Sequence, residues 1–74
     1  MRVRVKCFAT LADHTPPDGV LDLQDGATVE AILPKIGLEP ADIKLVFVNS
    51  RNSGLETVLA DADQIGIFPA VGGG

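Results

Sequence analysis

The middle of the chain carries one segment with helical spacing, and strand-like patterns lie on both sides of it. Four apolar residues of this segment share the i, i+3, i+4, i+7 spacing of a helix face: Val29, Ile32, Leu33 and Ile36. Thr28 is positioned to cap the helix with its hydroxyl, and Gly37 to end it. Because one helix covers only one face of a sheet, this feature constrains the fold most: the strands are left with one uncovered face.

Pro34 lies inside the helical segment, and it restricts the helix length. A proline within a helix removes one amide donor and clashes with the preceding turn, at about 3 kcal/mol. We therefore expect a short helix that bends or ends early near Pro34. Residues 38–43 are expected to form an irregular or single-turn link in which Pro40 can begin the turn.

The first strand is predicted at residues 3–8, where apolar and other side chains alternate. The apolar set ends with Cys7, which we interpret as a small core residue rather than a reactive thiol. The opposite face carries the cations Arg4 and Lys6, interpreted as a solvated strand face, and then one aromatic residue, Phe8. The pattern thus predicts a strand with one buried face.

A second strand is predicted at residues 20–23, as the partner of the first in a hairpin. Residues 12–19, which contain two prolines and an Asp-Gly pair, are predicted to be the loop between them. His14 lies in this loop, and we expect it to be solvated.

The remaining strands are predicted after the helix. Residues 45–48 form a continuous apolar run, which predicts a strand buried on both faces, and residues 55–59 a brief edge strand. The acids within residues 61–63 are interpreted as turn residues rather than paired catalytic carboxylates. Residues 64–68 alternate and predict the last strand, which Pro69 ends because it has no amide donor.

The resulting order is strand, strand, helix, strand, short strand, strand, which is the layout of an α+β domain of the β-grasp type. We expect a mixed sheet of four to five strands with one main helix on one face, in a domain spanning residues 1–69. Phe8 and Phe68 fall on outward faces. Since exposed apolar side chains on a small protein often mark an interaction site, these rings predict a partner surface.

Composition excludes several classes of function. The chain has 74 residues, and its ten acids and six bases give a net charge of −4, which argues against a nucleic-acid binder. The lone Cys7 excludes an internal disulfide and is typical of a reduced, cytoplasmic protein. One His and one Cys do not make a zinc site. No apolar run reaches the roughly 18 residues of a transmembrane helix, so we expect no membrane association and no bound metal.

Residues 70–74 are predicted to form a flexible tail that ends in Gly72, Gly73 and Gly74. No helix follows these glycines, so they are not a phosphate-binding loop. Because glycine has no Cβ, such a tail is thin enough to enter a narrow channel of another protein and present the Gly74 carboxylate there. Adenylation with ATP would activate that carboxylate toward a sulfur or amine nucleophile. A frayed end is the alternative interpretation.

Residues 66–74, Gly-Ile-Phe-Pro-Ala-Val-Gly-Gly-Gly, resemble the end of the MoaD/ThiS family of ubiquitin-like sulfur carriers. Residues 7–11 resemble the first-strand segment of that family, and residues 28–33 its helix start. Residues 59–65 are similar to its Leu-x-Asp-Gly-Asp-x-Val segment. The resemblance covers essentially the whole chain.

The resemblance implies that Gly74 is adenylated by a ubiquitin-activating-like enzyme and then converted to a thiocarboxylate. The carrier itself would bind no cofactor, because the ATP belongs to the partner enzyme. Gly72 and Gly73 would let the tail reach the active sites. The further residues that the resemblance assigns to partner binding are Phe8, Phe68, Pro69 and Val71.

The first and last segments are most similar to the small subunit of molybdopterin synthase. The resemblance therefore implies a protein substrate rather than an enzyme, with the large subunit of that synthase, or another sulfur acceptor, as its second partner. Three alternatives remain open: a thiamine-type or other sulfur carrier, a ubiquitin-like modifier joined to lysines through Gly74, and a β-grasp interaction module with an inert tail. Whether Gly74 is an encoded end or results from trimming also remains open.

Overall fold

Five strands form one mixed sheet in the computed structural model, which describes residues 1–70. The strands are β1 (Arg2–Cys7), β2 (Val20–Asp22), β3 (Ile43–Val48), β4 (Arg51–Ser53) and β5 (Gln64–Pro69). Their order across the sheet is β2-β1-β5-β3-β4, with β1 and β5 parallel and the other neighbours antiparallel. This arrangement confirms the α+β class and the predicted mixed sheet.

The alternation of β1 is confirmed by burial. Val3, Val5 and Cys7 are buried, while Arg2, Arg4 and Lys6 between them are exposed. β2 pairs with β1 as the predicted hairpin. The hydrophobic pattern was sufficient to predict which side chains of β1 are buried, because successive side chains of a strand point to opposite faces of the sheet.

The connection between β1 and β2 is more regular than the predicted loop. It contains two segments of 3₁₀ helix, Ala9–His14 and Pro17–Gly19. The expectation that His14 is solvated is wrong: its Nδ1 lies 2.8 Å from the carbonyl oxygen of Ile36 and the side chain is half-buried. This carbonyl belongs to the last turn of the helix, where no main-chain donor within the helix is left to bind it.

The helical segment is short, as predicted, but at Pro34 it changes type instead of ending. It begins as a 3₁₀ helix, Val29–Ile32, and continues as a single α-helical turn, α1 (Leu33–Ile36), which ends at Gly37 with a φ of 78°. Pro34 lies in the first turn of α1, where its missing amide removes no hydrogen bond of the helix. The left-handed conformation of Gly37 then ends the helix, as expected of a glycine after the last turn.

The predicted capping role of Thr28 is wrong. Thr28 occupies the N-cap position, but its side chain makes no capping hydrogen bond. Main-chain carbonyls do this instead: the Val29 amide donates to Thr57 at 3.0 Å, and the Glu30 amide donates to Leu55 at 3.0 Å. The long loop after β4 therefore satisfies the first donors of the helix, which leaves the hydroxyl of Thr28 unnecessary for capping.

The core lies between the helical segment and one face of the sheet. Its fully buried side chains are Ile32, Leu33, Ile67, Val3, Val5 and Val29. Burial of one such side chain contributes about 1.5–3 kcal/mol relative to exposure. Within residues 1–70 no polar side chain is buried, so the side-chain packing of this interface is stabilised by the hydrophobic effect.

β3 is not buried on both faces, contrary to the prediction. Val46 and Val48 are buried beneath the helical layer, whereas Leu45 is 38% exposed and Phe47 is half-buried on the opposite face. The error has a simple cause, because an apolar run on a sheet with one helical layer necessarily places every second side chain on the uncovered face.

The short edge strand also lies elsewhere. β4 is Arg51–Ser53 rather than residues 55–59, in which Val58 makes a single bridge to Thr28. Asn49 and Ser50 both have positive φ, 51° and 69°, and they form a two-residue hairpin loop between Val48 and Arg51. Such tight turns need positive φ at both central residues, a conformation that Asn adopts more readily than most.

The turn before β5 confirms the structural interpretation of its acids. Asp63 accepts hydrogen bonds from Asn49 Nδ2 and from the Ala60 amide, both at 2.8 Å, and Asp61 accepts one from the Arg2 amide at 2.8 Å. β5 follows with Ile65 and Ile67 buried, as predicted. These carboxylates hold the turn against the ends of neighbouring strands.

The described part of the chain ends just after β5. The Ala70 amide donates to the carbonyl oxygen of Asp42 at 3.2 Å. Asp42 belongs to the one-turn 3₁₀ helix Pro40–Asp42 that was predicted to start at Pro40. The division into a domain of residues 1–69 and a tail of residues 70–74 remains a prediction, because residues 71–74 lie outside the described part.

Candidate functional site

Three phenylalanine rings meet on the uncovered face of the sheet, and we call Phe8, Phe47 and Phe68 the aromatic cluster. The parallel register pairs Cys7 with Ile67, which places the next residues, Phe8 and Phe68, side by side. Their rings stack with centroids 4.3 Å apart and an interplanar angle of 2°. Phe47 meets Phe68 edge-on at 5.6 Å and 85°. The cluster therefore joins the three central strands of the sheet.

Gly66 makes room for these rings. An added Cβ at Gly66 would lie 3.3 Å from Cε2 of Phe8 and 3.7 Å from Cε1 of Phe68. The absence of a side chain thus lets Phe8 lie across β5. Lys6, which pairs with Gly66 in the register, places its Nζ 5.2 Å from the centroid of the Phe8 ring, within the range of a cation–π interaction.

The aromatic cluster borders an open depression on this face of the sheet. Its lining comes from β1, β5 and the loops beside them, and includes Arg4, Lys6, Phe8, Gln64, Gly66 and Phe68. A wide depression of this kind does not enclose a small molecule, because ligand pockets bury most of the ligand surface. Its shape suits contact with another protein.

Of the three basic side chains along β1, Arg2 forms an ion pair and Arg4 and Lys6 do not. Arg2 Nε lies 3.0 Å from Asp22 Oδ1 across the hairpin, and this guanidinium holds the pKa of Asp22 below its usual value. Both groups are well exposed, so the ion pair adds little to folding stability. Arg4 and Lys6 are exposed and form no salt bridge with any residue of 1–70. Their charges remain available to a partner.

Cys7 lies in the core, as the sequence predicted. Burial raises the pKa of its thiol, although a hydrogen bond with Thr15 acts in the opposite direction. Its amide donates to Thr15 Oγ1 at 3.0 Å. A neutral, buried thiol is a poor nucleophile, so Cys7 has a packing role.

The structure brings together some of the residues that the sequence singled out. Phe8 and Phe68 are in contact, and Pro69 ends β5 opposite Ile43. The predicted site residues Val71, Gly72, Gly73 and Gly74 lie outside the described residues. No cluster of three potential metal ligands, and no helix long and apolar enough to span a membrane, occurs within residues 1–70. The assignment of partner-binding residues remains a prediction.

Sequence reasoning missed two residues of this face, Leu45 and Phe47. Both lie in the apolar run that was interpreted as fully buried. A usable signal was present: with one helix in the chain, alternate members of that run have to face away from it. In the antiparallel register of β3 and β5, Leu45 lies opposite Phe68 and Phe47 lies opposite Gly66, so both side chains are carried beside Phe68.

Solved structures resemble this chain over nearly its full length. A Pyrococcus furiosus protein described as molybdopterin converting factor subunit 1 is 28% identical, with a TM-score of 0.73, covering 95% of this chain and 98% of its own. The Haloferax volcanii protein HVO 2177 is 27% identical, with a TM-score of 0.73, covering 100% of this chain and 87% of its own. SAMP1 from Haloferax volcanii is 24% identical, with a TM-score of 0.66 and full coverage of both chains, and supports the fold alone.

No curated protein matches the sequence. A family model does, over residues 5–74, which include nearly all of the sheet and the final glycines. With the structural likenesses, this match confirms the ubiquitin-like β-grasp fold and the family resemblance that the sequence predicted. The chain belongs to the ThiS family.

Proposed function

We propose that this protein is a sulfur carrier that delivers sulfur from a thiocarboxylate at Gly74. The observation that carries the proposal is the family match, which extends through the three final glycines to Gly74. The aromatic cluster supports it, since an exposed apolar group beside the last strand offers a surface by which a partner can hold the carrier. The carrier acts in this proposal as a protein substrate and not as an enzyme.

The chemistry takes place in two steps on a partner enzyme. The Gly74 carboxylate attacks the α-phosphate of ATP, so that pyrophosphate leaves and an acyl-adenylate forms. Sulfide (HS⁻) supplied by a donor then attacks the acyl carbon, the bond to the adenylate oxygen breaks, AMP leaves, and the thiocarboxylate remains on Gly74. The ATP and the sulfur donor are bound by partner proteins, while the carrier contributes the carboxylate and its docking surface.

The chain itself positions the point where the tail begins. Pro69 closes β5, and the hydrogen bond from the Ala70 amide to Asp42 fixes the next residue beside β3. The rings of Phe8 and Phe68 lie at the same end of the sheet. A partner that covers the aromatic cluster is therefore next to the start of the tail, and we propose that Val71, Gly72 and Gly73 lead from there into its active site.

We further propose that the sulfur is used to build molybdopterin, with the large subunit of molybdopterin synthase as the catalytic partner. The support is the Pyrococcus furiosus protein described as molybdopterin converting factor subunit 1, at 28% identity and almost full coverage. A thiamine-type or other acceptor is the competing destination. The two are separated by incubating the thiocarboxylated carrier with either acceptor system and measuring which one consumes the sulfur.

Intact-mass analysis tests the proposal directly. The chain ending at Gly74 is incubated with ATP, a sulfide donor and the adenylating enzyme of the same host, and the expected product is heavier by the exchange of one oxygen for sulfur. Omitting ATP, or deleting Gly73 and Gly74, should abolish the change. Absence of any mass change would contradict sulfur carriage, and an isopeptide bond between Gly74 and a lysine would assign the carboxylate to protein modification instead.

A further inference from the structure

Positive and negative charges are segregated in this fold. Five of the six basic residues lie in strands, namely Arg2, Arg4, Lys6, Lys44 and Arg51. Of the ten acids, only Asp22 lies in a strand, while the others occupy turns, loops and helical segments. The sheet is thus a basic element in a chain whose net charge is −4.

On the uncovered face this segregation leaves two cations that are not joined in an ion pair within residues 1–70. Arg2, Arg4 and Lys6 occupy the outward positions of β1, and Asp22 neutralises Arg2 across the hairpin. Among residues 1–70, Asp18, in the loop before β2, is the one acid that lines the depression. Arg4 and Lys6 form no ion pair within residues 1–70. We call these two side chains the basic strip.

The basic strip continues directly from the aromatic cluster. Lys6 Nζ is 5.2 Å from the Phe8 ring, and both basic side chains line the same depression as Phe8 and Phe68. At about 3.3 Å of rise per strand residue, Lys6 lies about 7 Å and Arg4 about 13 Å from Phe8 along β1. The uncovered face therefore has an apolar end beside the start of the tail and a basic end farther from it.

We infer that the adenylating partner binds this face with an apolar side chain on the aromatic cluster and carboxylates opposite Arg4 and Lys6. The inference rests on the proposed function and specifies the chemistry of its first partner. Every use of the tail requires this partner, because adenylation precedes both sulfur transfer and protein modification. Charge complementarity of this kind steers association and selects against partners of the wrong sign.

Other occupants fit the face less well. A second copy of the chain would bring its own basic strip against the first if the two faces met, and like charges opposed across an interface disfavour association. A nucleic acid would meet a chain with a net charge of −4. An acidic protein surface with an apolar anchor satisfies both ends of the face at once.

We expect the basic strip to affect how fast the carrier and the adenylating enzyme associate. Exposed charge pairs contribute little to equilibrium affinity, but they raise the rate at which the two proteins meet, and salt screens them. Loss of the basic strip should therefore raise KM for the carrier and leave kcat unchanged, because the carboxylate and the tail are intact. The increase in KM should diminish at high ionic strength.

The experiment measures ATP–pyrophosphate exchange by the adenylating enzyme of the same host, with the carrier as the varied substrate. The variants are Arg4→Glu and Lys6→Glu, with Arg4→Gln and Lys6→Gln as neutral forms that avoid introducing a new acid. Lys35→Glu is the matched control, since Lys35 is exposed on α1, on the covered side of the sheet, and the substitution changes net charge equally. The Arg4 amide bond to Asp63 at 2.9 Å involves main-chain atoms and is kept in every variant.

At low salt the Glu variants should raise KM about three- to tenfold, the Gln variants by less, and Lys35→Glu by under about twofold. Equal KM values for the unaltered chain and the Arg4 and Lys6 variants would overturn the inference while leaving the proposed function intact. An equal effect of Lys35→Glu would also overturn it, because net charge alone would then be the cause. No exchange with the unaltered chain would refute the proposed function and this inference with it.

Discussion

Replacing Phe68 with alanine removes the ring that links the other two members of the aromatic cluster. Phe68 stacks on Phe8 at 4.3 Å and meets Phe47 edge-on at 5.6 Å. Each such pair contributes about 0.5–1.5 kcal/mol beyond simple burial, so the two pairs account for about 1–3 kcal/mol of the destabilisation, to which the lost burial of the ring adds. Because Phe68 is half-buried, the total should lie below the roughly 3–5 kcal/mol typical of core Phe→Ala changes.

Urea denaturation followed by far-UV circular dichroism measures this loss. The chain has no Trp and no Tyr, so backbone ellipticity is the suitable signal. In a domain of this size, 1 kcal/mol corresponds to a shift in Tm of about 4–8 °C, which is easily resolved. Phe8→Ala and Phe47→Ala are the matched controls, because each removes one of the two ring pairs and should cost less than Phe68→Ala.

The ranking of the three variants decides whether the reasoning is correct. If Phe68→Ala destabilises the fold no more than Phe8→Ala or Phe47→Ala, the two ring contacts do not add at Phe68 and the geometry of the aromatic cluster has no energetic consequence. A double-mutant cycle between Phe8 and Phe68 is the sharper form of the measurement. A coupling free energy near zero would contradict the stacked arrangement.

Three further predictions concern the rest of the chain. Ile67→Ala should lower the free energy of unfolding by about 2–5 kcal/mol in urea titrations, because Ile67 is fully buried in the core. Arg2→Gln should raise the pKa of Asp22 in an NMR titration, because Arg2 lowers that pKa in the unaltered chain. The stabilisation from this ion pair is therefore present above the pKa of Asp22 in the unfolded chain, and it is lost as the pH falls through the pKa in the folded chain. Cys7 should react slowly with iodoacetamide in the native protein and rapidly in urea, because burial raises its pKa and shields it; a native rate equal to the rate in urea would place the thiol at the surface.

The sequence was most informative where burial follows a strict period. In β1 the alternation of Val3 and Val5 with exposed cations sets which face of the strand is buried, because a shift by one residue would expose the whole apolar set. The helical segment was found because its apolar side chains recur with helical spacing, whereas the change from 3₁₀ to α-helix beside Pro34 was not predicted.

Features that depend on the conformation of a few residues could not be read from the sequence. The hairpin between β3 and β4 needs positive φ at both Asn49 and Ser50, and Ser50 gives no local signal for this conformation. The capping of the helical segment by Leu55 and Thr57 is a contact between distant parts of the chain. A side chain such as Thr28 can match a capping pattern while the main chain supplies the acceptor.

The candidate site was only partly predictable, because it depends on the pairing of strands that are distant in the sequence. Phe8 and Phe68 were identified by strand parity, which is local, but their stacking depends on the parallel register of β1 and β5. That register joins segments separated by most of the chain. Phe47 enters the same cluster only through the pairing of β3 with β5, so no local pattern placed the three rings together.

The central position of β5 has a consequence for synthesis on the ribosome. β5 is the last strand in sequence, yet it lies between β1 and β3, so a nascent chain that lacks it has two separate hairpins and no common sheet. Isolated hairpins are at best marginally stable in water. Folding should thus wait until β5 has left the exit tunnel, and any partner that recognises the assembled sheet would bind completed copies and not unfinished ones.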